Sequence, residues 1–434
     1  MNFLFKVAIL FLIVFNFRLP YIYNSVFLSI VICAVYYIFK KNTLPFTYFF
    51  QRYNAVILIG TLVLAFVVFI IAYFHGTEIA STKEKRIWVM LLMLLALVFA
   101  LPLLIEEKKS RAFDEIAIII CYAFAIQGLI SFIAYLYPPF GNFLFEMKPV
   151  GMVEEDAGPI DNIFRFYNLS GIYFVELTAA FGVAFIVFFW LMLKSSDHPY
   201  LSGWKKYMVF IFIFLGTVFS GRTGFIGLLM GLGGWIFFSY RRLFTVIKRN
   251  GAYIIAFFMF VLFTYGVVLS ESQRQSFNDE VFPFAFEWYY NYMDYGKFEV
   301  GSAEGTRSHY YYLRDETLLR GHGVDAFLNQ IGYPHSDAGY TNILVFGGIP
   351  LLIVLIIYQF LYFARPMAVA LKGNSRDHRI CLGFFLLLLV YIFIVEIKAP
   401  AIGYMHLIQV MYIALGSVYM IQYYYQREQA TLTG

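Results

Sequence analysis

Apolar residues come in long unbroken runs separated by short polar breaks, from Phe3 to Tyr425. A bilayer-spanning helix needs about 20 predominantly apolar residues, and lipid admits only helices or closed barrels because main-chain groups find no water there. The runs lack strand-like alternation, so they predict helices at 2–17, 24–39, 54–74, 87–105, 113–137, 168–193, 206–221, 223–239, 251–270, 340–364, 380–397 and 402–425. The first two runs are short enough to form one re-entrant pair. The expected fold is therefore all-α, a polytopic membrane protein with about 12 transmembrane helices, residues 1–434 forming one integral membrane domain. The run Phe3–Phe17 has a positive flank at Lys6 and resembles a signal peptide, but Arg18-Leu19-Pro20 offers no small-residue cleavage site, so it is read as the first span.

The polar breaks differ in charge. With both termini cytoplasmic, five alternate breaks are basic: Lys40, Lys41 and Arg52; Lys108, Lys109 and Arg111; Lys194, Lys205 and Lys206; Arg241, Arg242, Lys248 and Arg249; Arg365, Lys372, Arg376 and Arg379. The opposite breaks include an acidic segment with Glu146, Glu154, Glu155, Asp156 and Asp161, and a connection of about 70 residues, 271–339, where inter-helix loops usually have about 2–8. The positive-inside rule places these two segments outside the cytoplasm. The long loop carries Tyr289, Tyr290, Tyr292, Tyr295, Tyr310, Tyr311 and Tyr312, and a stretch of helical character, Arg307 to Leu319, that Gly321 and Gly323 stop. It reads as a large structured loop rather than a disordered one, and as the natural place for function.

Composition agrees with the pattern: 61% hydrophobic residues and only 14% charged, with a mean hydropathy of +0.72, against about 25% charged in ordinary soluble domains. The net charge of +5 lies in short inter-helix clusters and not in a basic arm, which excludes a nucleic-acid partner and makes the bilayer the partner instead. Cys33, Cys121 and Cys381 lie within apolar runs without CxxC spacing, so neither a disulfide framework nor a zinc site is expected. No metal constellation and no cofactor motif is found.

Candidate chemistry gathers on the external side. Arg222, in Ser220-Gly221-Arg222-Thr223-Gly224, sits in the only break of the run from Tyr207 to Phe238. Such an arginine either reaches for lipid headgroups or, at a helix N-terminus where a cation opposes the macrodipole, binds an anion. Arg307 and Arg314 are seven apart, on one face of a helix, and Arg320 follows; converging arginines suit a diphosphate, although Glu316 with Arg320 forms an alternative structural pair. His335, in Pro334-His335-Ser336-Asp337-Ala338-Gly339-Tyr340-Thr341, is a candidate general base beside Asp337 and Tyr340, while a helix N-cap by Ser336 or Asp337 is the competing account. Glu176 lies inside an apolar run that follows Arg165; an intramembrane carboxylate is either functional or paired with Arg165 or Arg222. The tyrosines suit sugar stacking or the membrane interface.

The ordered set Arg165 to Glu176, Ser220-Gly221-Arg222-Thr223-Gly224, a long external loop with Thr306-Arg307, then Gly321-His322-Gly323 and His335 to Thr341 followed by Phe346-Gly347-Gly348-Ile349 resembles the Wzy-type O-antigen polymerases and the related O-antigen ligase superfamily, over about residues 150–365. The resemblance implies a GT-C-like glycosyltransferase of the bacterial inner membrane, working at the periplasmic face on undecaprenyl diphosphate-linked oligosaccharides as donor and acceptor, inverting and metal-independent. It implies diphosphate binding by Arg222, Arg307, Arg314 and Arg320, catalysis by His335 and Glu176, substrate contacts by Arg165, Asp337 and Tyr340, and a chain-length regulator and a flippase as candidate partners. The residues after His335 favour polymerase over ligase. A flippase or transporter is the alternative from another class; it predicts internal repeats between the halves, which the sequence does not show.

Overall fold

The computed structural model describes residues 2–19, 24–40, 51–75, 82–105, 109–146, 168–169, 174–194, 198–240, 264–296, 310, 312–324, 336–373 and 375–433. The described helices are α1 (Phe3–Phe15), α2 (Ser25–Lys40), α3 (Arg52–Phe74), α4 (Thr82–Ile105), α5 (Ala112–Leu136), α6 (Pro138–Glu146), α7 (Phe174–Lys194), α8 (Lys205–Ser220), α9 (Thr223–Ser239), α10 (Glu271–Ser276), α11 (Phe282–Ala285), α12 (Glu287–Tyr295), α13 (Asp315–Arg320), α14 (Gly339–Lys372), α15 (Arg376–Lys398) and α16 (His406–Thr433). Seven of these, α3, α4, α5, α7, α14, α15 and α16, are long and apolar enough to cross a membrane; α1, α2 and α9 are shorter apolar helices. Eleven of the expected spans coincide with helices. The twelfth, 251–270, lies mostly outside the described residues, and its last part is a π-helical turn, Thr264–Val268.

The chain divides into two compact units, one of Met1–Phe11, Phe15–Ser25 and Ala117–Phe298, the other of Leu12–Val14, Val26–Ile116 and Glu299–Gly434. The long loop is thus not one element: its first part belongs to the first unit and its remainder to the second.

In the first unit, α7 and α9 run parallel in close contact. Ideal Cβ atoms on Gly224, Gly227 and Gly231 of α9 would lie 2.8 Å from the Thr178 carbonyl oxygen, 2.3 Å from the Gly182 Cα and 3.1 Å from the Ile186 Cα. Small residues at a four- or three-residue spacing let two helix backbones touch, which is how helices associate where lipid is as apolar as their side chains. Antiparallel to α9, α8 follows the same rule against α5, with a Cβ on Gly128 falling 1.8 Å from the Phe212 carbonyl oxygen. The segment from Thr264 onward folds down on the ends of α5 and α8 through a core of Ala134, Tyr135, Val218, Phe219, Leu269 and Val281. Gln273 fastens it: its amide Nε2 donates to the Leu136 carbonyl (2.8 Å), a group at the end of α5 that no further turn of helix would satisfy.

In the second unit the helices are joined by buried polar contacts that hydropathy hides. The Tyr53 hydroxyl donates to the Tyr362 carbonyl (2.7 Å), Thr61 Oγ1 meets the Tyr358 hydroxyl (2.7 Å), and Gln409 Nε2 donates to Gln359 Oε1 (2.9 Å). These link α3, α14 and α16. The longest helix, α14, runs past the expected end at residue 364 because Arg365 does not stop it: the guanidinium donates to the Tyr424 hydroxyl of α16. It is also broken, at Gly348 (φ 64°, ψ −165°).

The α7–α9 contact predicts an asymmetry among glycines. Gly227→Leu is expected to lower the stability of the detergent-purified protein by at least about 1–3 kcal/mol, an overpacking cost, whereas Gly233→Ala, which meets nothing within 4 Å, leaves it unchanged. Thermal unfolding of both variants checks this.

Candidate functional site

Two polar regions hold the described candidate residues, one in each unit. Arg165, Arg307 and His335 lie outside the described residues.

In the first unit, parallel packing brings the N-terminal ends of α7 and α9 together. Each end carries the positive pole of a helix dipole and unsatisfied N–H groups. Glu176 is buried in the first turn of α7. The described helix runs from Phe174, and Glu176 lies, as expected, within its stretch apolar enough to cross a membrane, Val175–Lys194, in a first turn where the dipole stabilises a negative charge. Arg222 is the N-cap residue of α9. Its turn is locked by Thr178, whose hydroxyl donates to the Gly221 carbonyl (2.6 Å) and accepts from the Gly224 N–H (3.2 Å). The guanidinium is 19% exposed and pairs with Glu287, 28% exposed, in the first turn of α12. A carboxylate therefore occupies the anion position that the sequence assigned to a ligand. Burial lowers the pKa of the Arg222 guanidinium, which remains a cation at neutral pH. Sequence reasoning missed Glu287; its only signal was an acid opening the aromatic segment Glu287-Trp288-Tyr289-Tyr290-Asn291-Tyr292.

In the second unit, α13 and the Gly321-His322-Gly323 strap lie against the break in α14. Pro350 has no N–H, so the Phe346 carbonyl four residues earlier loses its helical donor. The Gly323 N–H supplies one (2.9 Å), and the His322 N–H serves the Val345 carbonyl (2.7 Å). The fit is backbone on backbone. A Cβ on Gly321 (φ 68°, ψ −168°) would fall 2.4 Å from the Phe346 oxygen, and one on Gly348 2.7 Å from the Leu318 oxygen. The His322 ring meets Thr317 Oγ1 through Nε2 (2.7 Å), and His75 packs on Gly323.

Helix α13 is shorter than expected. It spans Asp315–Arg320, with Arg314 as an extended N-cap residue (φ −65°, ψ 151°) and not on the helix; Arg307 lies outside the described residues. Asp315 and Glu316 favour a start there through the dipole, and upstream the Tyr310 hydroxyl is tied to the Ile397 carbonyl (2.7 Å). Arg314 and Arg320 point to the exposed side of this segment, and Glu316 and Arg320 form no ion pair among the described residues.

The start of α14 also differs from the expected cap. Its N-cap residue is Ala338, without a side-chain cap; Ser336 Oγ instead accepts from the Ala338 N–H (3.2 Å), and Asn342 Nδ2 donates to the Ser336 carbonyl (2.7 Å). Asp337 is exposed and Tyr340 half-buried. Beside them lies Glu396, fully buried, whose Oε2 accepts from the Ala401 and Ile402 N–H groups (2.6 and 2.5 Å) and whose Oε1 would be 2.1 Å from a Cβ on Gly339. Burial, then Tyr340 and Glu396, push the Tyr310 hydroxyl up to about 12. Glu396 was legible as a carboxylate in an apolar run and was overlooked. Among the described residues no three His, Cys, Asp or Glu side chains stand together as a metal site would require.

Set beside known proteins, the chain matches no family model, no curated protein and no solved structure.

Two outcomes follow for the strap. Gly321→Ala places an L residue in a glycine-only conformation at a cost of about 1–3 kcal/mol, so hydrogen exchange at the His322 and Gly323 amides rises about tenfold or more; Leu319→Ala, on a side chain 65% exposed, leaves it unchanged. Burial, then His75, hold the His322 pKa below its ordinary 6.5, with Arg314 acting in the same direction and Glu316 against it. The folded value is the lower one, so the neutral ring's contribution is complete above the unfolded pKa and is lost as pH falls through the folded one. Corrected for intrinsic exchange, protection of the two amides should fall on acidification, and His322→Gln should remove that dependence.

Proposed function

We propose that the protein is a membrane glycosyltransferase that polymerises undecaprenyl diphosphate-linked oligosaccharide repeat units into O-antigen or a related surface polysaccharide at the periplasmic face of the inner membrane, as the resemblance of its motifs implies. The observation that carries this reading is Arg222, a half-buried guanidinium on a backbone-locked turn at two helix N-termini, already engaged with a carboxylate. That is the environment an anionic leaving group needs.

The chemistry requires little else. An acceptor hydroxyl attacks the anomeric carbon of the donor sugar, a C–O bond forms with inversion, the bond to the diphosphate breaks, and the hydroxyl proton passes to a base. Preorganised cations neutralise charge that develops on the departing diphosphate. Arg222 has that role in the first unit, with Glu176 as a candidate base; the resemblance also names Arg307, Arg314 and Arg320 for phosphate, His335 as a base, and Arg165, Asp337 and Tyr340 for the glycan. No cofactor enters. The five basic loops set the orientation, termini in the cytoplasm. A ligase would use the same groups with lipid A-core as acceptor.

One observation favours a transporter instead: the broken helix α14, since discontinuous helices line transport sites. Against it, the freed Val345 and Phe346 carbonyls are filled by the His322 and Gly323 amides, and are not offered to a solute.

Deletion of the gene is expected to leave lipopolysaccharide bearing one repeat unit. Bare lipid A-core with accumulated lipid-linked polymer would mean ligase, and an unchanged ladder would refute both. Purified protein should lengthen defined lipid-linked repeats, at least about 100-fold more slowly in Arg222→Ala, the usual loss on removing one oxyanion-type donor. Arg222→Lys should rescue poorly, because a point charge lacks the fork. Movement of the substrate across vesicles without lengthening would establish the transporter.

A further inference from the structure

The Arg222–Glu287 pair joins two separate helices of the first unit, α9 and α12. Arg222 stands on a turn fixed by Thr178 and by the glycine contacts of α9 with α7. Glu287 stands on α12, a nine-residue helix between Phe286 and Gly296 whose outer face carries Tyr289, Tyr292 and Met293, 44, 45 and 63% exposed. We infer that Glu287 is a displaceable counter-ion: a phosphate or diphosphate group and the Glu287 carboxylate compete for the same guanidinium, so that binding of the anion releases α12 and its tyrosines. That the anion is the diphosphate of a lipid-linked glycan rests on the function proposed above; the exchange itself does not.

The argument is electrostatic. An ion pair with both partners partly exposed is weak, whereas a diphosphate brings more than one charge and several acceptor oxygens to a fork built for bidentate contact. The helix dipole of α9 favours whichever anion is there, and so does not itself choose between them. An internal competitor lowers the apparent affinity by the fraction of molecules in which the site is open. Glu287 thus keeps Arg222 paired when no substrate is present and makes release of the loop conditional on an anion strong enough to replace it.

The test uses the full chain in nanodiscs of a zwitterionic lipid, with a spin label at Met293→Cys; the native Cys33, Cys121 and Cys381 are buried and label poorly. Inorganic pyrophosphate and undecaprenyl diphosphate in the nanodisc are the two probes, separating a free from a lipid-borne phosphate. Either probe should mobilise the label in the parent protein. In Glu287→Gln the label should be mobile without ligand and the probe should bind about fivefold more tightly, the factor expected on removing a weak internal competitor. In Arg222→Gln the label should be mobile and binding lost. Equal or weaker binding in Glu287→Gln would overturn the proposal, making Glu287 a residue that orients Arg222. So would a label in the parent protein that neither probe moves, a measurement that needs no charge variant to fold. Exchange without polymerisation of lipid-linked repeats would leave the counter-ion standing and remove the polymerase; polymerisation without exchange would do the reverse.

Discussion

A main chain that lies in lipid has to satisfy its own hydrogen bonds, and wherever a helix ends or breaks there, something else must supply the partner. The clearest case is the break in α14. Gly348 turns the chain out of the helix, Pro350 withholds an N–H, and two carbonyls are freed. The amides of His322 and Gly323 fill them. Elsewhere the same need is met by a side chain. Gln273 reaches the last turn of α5, and Glu396 accepts the two N–H groups at Ala401 and Ile402 that open the approach to α16. The long polar connection is therefore part of the membrane fold, since its residues complete helices that cannot complete themselves.

Electrostatics follows from packing. Glycines draw α7 and α9 together in parallel, and parallel helices place like dipole ends side by side. Two positive poles and an arginine at one place would repel one another. Glu176 and Glu287 offset this, one from within the helix pair and one from the loop. The charge pattern at this end of the unit is thus a consequence of helix contact distance, and any ligand there meets a site already poised for anions.

What the sequence made legible was whatever depends on local composition. The apolar runs marked nearly every helix, because hydropathy over about 20 residues needs no partner. Gly321 and Gly323 were readable as a helix stop, and Arg222 as a cation at a helix start. The rest depends on residues far apart in the chain. Nothing near Glu287 announces Arg222, and nothing near His322 announces the Val345 carbonyl. Glu176 was readable as a carboxylate in an apolar run, and the helix that carries it is apolar enough to cross a membrane. Of the stretch Arg307 to Leu319, residues 315–319 are helical and 312–314 are not: an acidic pair starts the helix at Asp315, and Tyr310 upstream is held by a distant carbonyl.

The glycine motifs illustrate how one local pattern serves two ends. On α9, glycine is needed because another backbone is too close for a Cβ; on the strap, glycine is needed at Gly321 for the same contact and also for a backbone angle no other residue adopts readily. Both arrangements make a rigid platform under a charged side chain, Arg222 in one unit and Arg320 in the other. Rigidity there matters because an arginine fork recognises an anion by geometry as well as by charge. A guanidinium on a flexible loop would lose side-chain entropy on each binding event; one whose main chain is clamped to a membrane helix has lost part of that freedom at folding. The counter-ion of Arg222, Glu287, sits on a separate short helix, α12, of the long polar connection.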